Sequence, residues 1–237
     1  MIHRSLLHIL AALGLSLAAH AQQAGPPAPV RIRAVLHDPA RPNADLFFTD
    51  KSGAVTPLTF RPQDLSEPMF IRPVNGSLVL YNKAAIDPAN PTASLAASVT
   101  LPPDVKRAIV VVLPGAAGGR TAYRMVLIDD SEKAFPKGES RALSLIKVET
   151  AIQAGEHKLP VHPGKITAVP LVKKVDDFNM AQTNFYYKQG EAWVAFAERQ
   201  LQYQEAVRRI FIIHATPGAV QPTVTTIVDT VTAAQPQ

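Results

Sequence analysis

The side chains that could do chemistry are few and scattered. The chain has no cysteine, which excludes thiolate catalysis, disulfides, Cys-ligated zinc and iron–sulfur clusters. Of its seven histidines, His3, His8 and His20 lie in an apolar N-terminal segment. The others are His37, His157, His162 and His214. His157 and His162 are interrupted by Pro160 and followed by Pro163, whereas zinc draws on short-spaced pairs converging with further ligands. His214 ends an apolar run and reads as a partly buried, hydrogen-bonded side chain. No metal site is expected. Adjacent acids stand at Asp129-Asp130 and Asp176-Asp177. Neither fits a calcium-loop pattern, and both read as solvated turns.

Gly115-Ala116-Ala117-Gly118-Gly119-Arg120-Thr121 follows an apolar run and has the glycine content of a phosphate loop. Arg120 and Thr121 stand where such a loop needs Gly and Lys, and the following residues read as a strand. It is a hairpin connection, and no nucleotide or other cofactor is expected. There is no G-x-S-x-G elbow and no S-x-x-K set, so no catalytic residue is assigned and a non-enzyme is expected. The basic pairs Lys106-Arg107, Lys173-Lys174 and Arg208-Arg209 are dispersed and read as solvated strand ends. Without a contiguous basic stripe, nucleic acid is not an expected partner.

The aromatics offer the remaining chemistry. Phe185-Tyr186-Tyr187 and Trp193, the only tryptophan, flank a turn at Lys188-Gln189-Gly190-Glu191. As exposed rings, Tyr186, Tyr187 and Trp193 would form a sugar-stacking platform, which makes them the tentative ligand contacts. As core rings they would pack across strands, and the apolar stretch 192–197 fits a mostly buried strand.

The elements that position these residues are strands. Hydrophobic residues make up 47% of the chain, charged residues 18%, and 21 prolines outnumber 12 glycines, a balance that argues against helical bundles. Short apolar runs bounded by Pro, Gly, Asn and Asp predict strands at 30–36, 45–49, 54–60, 69–72, 77–82, 95–101, 108–113 and 122–128. Further strands are predicted at 142–148, 158–161, 166–172, 183–187, 192–197, 209–214 and 224–229. The β-branched run 109–113 reads as a strand buried on both faces. Asn75-Gly76 is a strong hairpin signal, simpler than the glycosylation sequon it also forms with Ser77.

The pattern occurs twice. Segment 105–116 matches 207–219, 125–129 matches 226–229, and 58–62 matches 159–163, all offset by about 100 residues. Two tandem immunoglobulin-like β-sandwich units are therefore expected, at 30–131 and 138–230. The charged stretch between them is short enough that end-to-end packing is expected. Residues 22–29 form a Gln/Pro/Gly leader, and 231–237 an expected frayed tail.

Residues 1–21 have a basic start, a short apolar run and Ala19-His20-Ala21, the features of a cleaved signal peptide. The apolar run is too short to span a hydrocarbon core of roughly 30 Å. No stable membrane span is expected after cleavage, so the mature chain is expected in the periplasm or secreted. Loss of Arg4 lowers the formal charge from +5 to +4.

Three stretches carry a resemblance. They are Asp104-Val105-Lys106-Arg107 leading into Ala108–Pro114, Tyr123-Arg124-Met125-Val126-Leu127-Ile128-Asp129-Asp130-Ser131, and Ala134-Phe135-Pro136-Lys137-Gly138-Glu139-Ser140-Arg141. Together with Arg208-Arg209-Ile210-Phe211-Ile212-Ile213 they resemble a group of exported bacterial proteins with tandem β-sandwich units and no assigned activity. The resemblance implies fold and compartment, and transfers no catalytic residue. The expected function is a non-enzymatic binding or structural module of the cell envelope. A carbohydrate-binding module built on the second unit's aromatics is the alternative, and the corresponding partners are an envelope protein or a glycan.

Overall fold

The computed structural model describes residues 27–230, apart from 88. The expected signal peptide (1–21), the leader up to 26 and the expected tail (231–237) lie outside the described residues. The first half forms β1 (Val30–Leu36), β2 (Leu46–Thr49), β3 (Val55–Leu58), β4 (Met69–Ile71), β5 (Ser77–Tyr81), β6 (Leu95–Thr100), β7 (Arg107–Pro114) and β8 (Tyr123–Asp129). The second forms β9 (Ser140–Ser144), β10 (Thr150–Ala154), β11 (His157–Val161), β12 (Ile166–Val169), β13 (Met180–Gln189), β14 (Ala192–Gln202), β15 (Val207–His214) and β16 (Thr223–Thr230). One short 3-10 turn, Pro91–Ser94, precedes β6.

These strands make four sheets of four. Their orders are β4-β1-β7-β8 and β3-β2-β5-β6 in the first half, and β12-β9-β15-β16 and β11-β10-β13-β14 in the second. Adding eight to each strand number of the first half reproduces the second. The duplication extends to polarity, because β1 pairs parallel with β7 and β9 pairs parallel with β15, while the other strand pairs are antiparallel. The repeat legible as three weak sequence matches is thus a repeat of the complete topology.

Alternation along the inner strands explains how the halves meet. On β7, Ala108, Val110 and Val112 turn into the first sandwich core, while Ile109, Val111 and Leu113 turn the other way. On β15, Phe211 and Ile213 face the second core, and Ile210 and Ile212 face the first half. The outward-turned residues join Val35, Ile128, Leu143 and Ile227 in a third apolar core between the halves. Each fully buried aliphatic side chain contributes roughly 1.5–3 kcal/mol, so strands apolar on both faces leave a sheet that must be covered twice. The result is a four-layer stack, packed sheet against sheet and not end to end as the short linker suggested.

Other expectations need correcting. Asn75 and Gly76 do take positive φ, +47° and +70°, and Val74 bridges Ser77. Reciprocal backbone bonds between Val74 and Ser77 close the expected two-residue turn, but β4 pairs with β1 and β5 with β2 and β6, so beyond that single bridge the turn carries the chain between sheets and does not pair β4 with β5. β10 (Thr-Ala-Ile-Gln-Ala) is an addition to the expected strands, since its two alanines and one glutamine dilute the β-branched Thr150 and Ile152. β14 is not a mostly buried strand. It is the edge of its sheet, eleven residues long, with Trp193 exposed.

Candidate functional site

Two surfaces gather side chains capable of recognition. The first is the outer face of the β11-β10-β13-β14 sheet. Register places Lys188 opposite Trp193 and Tyr186 opposite Ala195, with a bulge in β14 beside Tyr186. Tyr186 also lies opposite Ala151 on β10, and Ala151 opposite Pro160 on β11. Tyr186, Trp193, Ala151, Pro160, Leu159 and Lys158 line a shallow hollow of about 300 Å³. Trp193 is 49% exposed. The Tyr186 hydroxyl donates to Gln153 Oε1 at 3.3 Å and accepts from Asn184 Nδ2 at 3.3 Å.

Tyr187 parts company with the other two. Its ring meets Phe196 edge-on, with centroids 6.0 Å apart, and Phe196 packs against the second core beside Phe185. The structure therefore brings Tyr186 and Trp193 to one hollow and turns Tyr187 toward the interior. The alternation of faces along β13 separates Tyr186 from Tyr187.

The second surface lies at one end of the junction between the halves. Arg33 on β1 donates from Nη1 to Asp229 Oδ1 at 2.5 Å and from Nη2 to both carboxylate oxygens of Asp130 at 3.2 Å. Arg208 on β15 donates from Nε to Asp229 Oδ2 at 3.0 Å and from Nη2 to Asp130 Oδ1 at 2.6 Å. Both carboxylates are buried, as is Arg208. Burial favours the neutral acid at Asp229, but the bonds and charges of Arg33 and Arg208 outweigh it and hold its pKa below the ordinary value. Burial opposes the Arg33 charge, and its two aspartates more than offset that, so its pKa is raised.

Beside this network a ring is clamped between two guanidinium groups. Phe135, fully buried in the segment joining the halves, has Arg141 Cζ 4.4 Å and Arg208 Cζ 4.2 Å from its ring centroid. Arg208 Nη1 also donates to the Phe135 carbonyl at 2.9 Å. Outside the network opens a cleft of about 660 Å³.

These positions overturn two sequence expectations. Asp130 is buried and not a solvated turn, and Arg208 and Arg209 are buried and not solvated strand ends. Asp176, by contrast, is an exposed turn residue accepting from the backbone of Phe178 and Met180. Nothing local in the sequence announces the network, since its partners are up to 196 positions apart.

The opposite end of the junction carries histidines. His37, just past β1, and His214, ending β15, meet edge-on with centroids 4.4 Å apart. Burial, and then the neighbouring His214, pushes the His37 pKa down to about 4 against the opposing charge of Asp38. Burial also lowers that of His214, whose Nε2 lies 3.0 Å from Thr225 Oγ1. His157 approaches the Leu171 carbonyl at 3.2 Å. Among the described residues no three His, Asp or Glu side chains gather to hold a metal ion. Nor is any helix there long and apolar enough to cross a membrane.

No family model matches the chain, and no curated protein matches it in sequence.

Proposed function

We propose that the protein is an exported, non-enzymatic binding module of the cell envelope. In this reading its two sandwiches are immunoglobulin-like, and the outer face of the second takes carbohydrate. The observation that carries the reading is the half-exposed Trp193 standing with Tyr186 over an apolar hollow. A sugar ring presents a C–H face to an aromatic ring and hydroxyls at its rim. Here Gln153 and Asn184, bonded to Tyr186, and Lys158 at the hollow's edge offer donors and acceptors around the apolar patch. An exposed tryptophan flanked by such groups favours a ligand that is apolar on one face and polar at its edge. Export rests on the signal-like features of 1–21.

Because Trp193 is the only tryptophan, its fluorescence reports on this face alone. Iodide should quench it in the folded protein, and a bound polysaccharide should shield it. Trp193→Ala and Tyr186→Ala should abolish retention on that polysaccharide. An indole that iodide cannot reach, or a panel of envelope and plant glycans with no retained member, refutes the reading. A second reading is supported by β14, whose outer edge has no pairing strand among the described residues. An extended segment of an envelope protein could add there. A pull-down from the envelope fraction separates the two, since a protein partner would survive Trp193→Ala and a glycan would not.

A further inference from the structure

The two halves correspond residue by residue at the ionic end of their junction. Arg33 lies opposite Ile109 on the parallel neighbour strand, as Arg141 lies opposite Ile210. Arg208 pairs with Asp229 across β15 and β16. Asp130 continues the equivalent ladder, its N–H bonding to the Arg107 carbonyl at 3.0 Å. Thus Arg33 corresponds to Arg141, Arg107 to Arg208, and Asp130 to Asp229.

The correspondence stops at what the arginines hold. Arg141 and Arg208 clamp the Phe135 ring. Their counterparts Arg33 and Arg107 carry no ring among the described residues, and both line the open cleft. The chain supplies one aromatic plug for two equivalent seats, because only one segment joins the halves. Leu65 reaches the other side from the β3–β4 connection, and a leucine offers no π face to a guanidinium.

The charges round the cleft define what else a ligand should carry. Asp130 and Asp229 are matched by Arg33 and Arg208, and Arg61 is matched by Glu67. Arg31 and Lys137 line the same cleft and meet no carboxylate among the described residues. Arg107 stands 3.6 Å from Asp130, beyond hydrogen-bond reach. Against these three cations stand Glu132 and Asp64, and the latter already accepts from the Leu65 N–H at 2.7 Å.

We propose that this cleft is a binding site for an aryl carboxylate. Its ring lies against Arg33 and Arg107 as Phe135 lies against Arg141 and Arg208, and its carboxylate meets Arg31 and Lys137 at the mouth. The site is independent of the outer-face hollow, so sugar binding can fail without touching it. Sites of this size at the junction of two folded units are where small ligands lodge.

The test titrates the full chain with sodium benzoate at fixed ionic strength, by calorimetry and by side-chain NMR. Cyclohexanecarboxylate, benzyl alcohol and inorganic phosphate serve as comparators. Benzoate should bind saturably, and each comparator several-fold more weakly. Arg31→Gln combined with Arg107→Met should weaken benzoate by about tenfold or more, and circular dichroism establishes that this variant stays folded. Three results overturn the proposal. They are no saturable benzoate binding, phosphate or cyclohexanecarboxylate binding as tightly as benzoate, and undiminished affinity in the folded double variant.

Discussion

Replacing Arg208 with methionine is the most searching perturbation of this fold. The side chain is 5% exposed and makes charge-assisted bonds to two carboxylates that are each 3% exposed. It also bonds to the Phe135 carbonyl and covers the Phe135 ring. Methionine keeps most of the volume and the ring contact, so the loss is mainly electrostatic. Arg33 would then face both buried aspartates alone, with Arg107 too distant to donate. Removing one partner from a buried ion pair costs about 3–5 kcal/mol, a large part of the 5–15 kcal/mol typical of a folded domain. Urea unfolding followed by far-ultraviolet circular dichroism at pH 7 measures the change. Adding Asp229→Asn to Arg208→Met should recover part of it, with a coupling energy of at least about 1 kcal/mol. A loss below about 1 kcal/mol, or strictly additive substitutions, would refute the assignment of the network as a clamp between the halves. Its pH dependence follows from Asp229. The folded pKa is depressed, so this contribution is complete above the unfolded value near 3.8 and disappears as pH falls through the lower folded value.

The histidine end should respond in a different window. His37 takes its proton near pH 6.5 when unfolded and only near about 4 when folded, so its contribution to stability diminishes as pH drops between those values. The ring is still partly in water, which limits the effect to about 1–2 kcal/mol. His37→Asn should flatten that part of a urea-midpoint series between pH 7 and 4, and superimposable pH slopes would contradict the account. Phe211 is fully buried, with Phe185 edge-on at 5.2 Å. Phe211→Ala should cost about 3–5 kcal/mol by the same unfolding measurement, and a cost near that of a surface substitution would mean this core is loosely packed.

The sequence spoke clearly where a residue's role depends on its neighbours in the chain. The run Ile109-Val110-Val111-Val112-Leu113 announces a strand buried on both faces, and β7 is one, with alternate residues serving different cores. The repeat is legible because β7 and β15 share a basic start, an apolar run and a Pro-Gly connection, at Pro114-Gly115 and Pro217-Gly218. What stayed hidden depends on distant contacts. Asp130 and Arg208 carry the polar signature of strand ends, and only the stacking of two sheets takes them out of water. The sequence leaves Trp193 open between platform and core for a related reason. Apolar residues on a strand look like core until the fold shows that one face of their sheet has no covering layer among the described residues. Of the aromatic candidates, Tyr186 and Trp193 share a surface, whereas Tyr187 follows the alternation inward.

The face-to-face arrangement of the inner sheets has one more consequence. Two equivalent surfaces, apolar at the centre, meet as they would in a symmetric dimer of separate chains. Residues 131–138 tie those surfaces together in one polypeptide and insert Phe135 among the arginines at their edge. The association is then unimolecular, insensitive to dilution, and fixed at one to one by synthesis. Either half made alone would present a naked sheet of Ile, Val and Leu and should pair with its own copy. A protein that must hold its form at low concentration gains constancy from such a fusion.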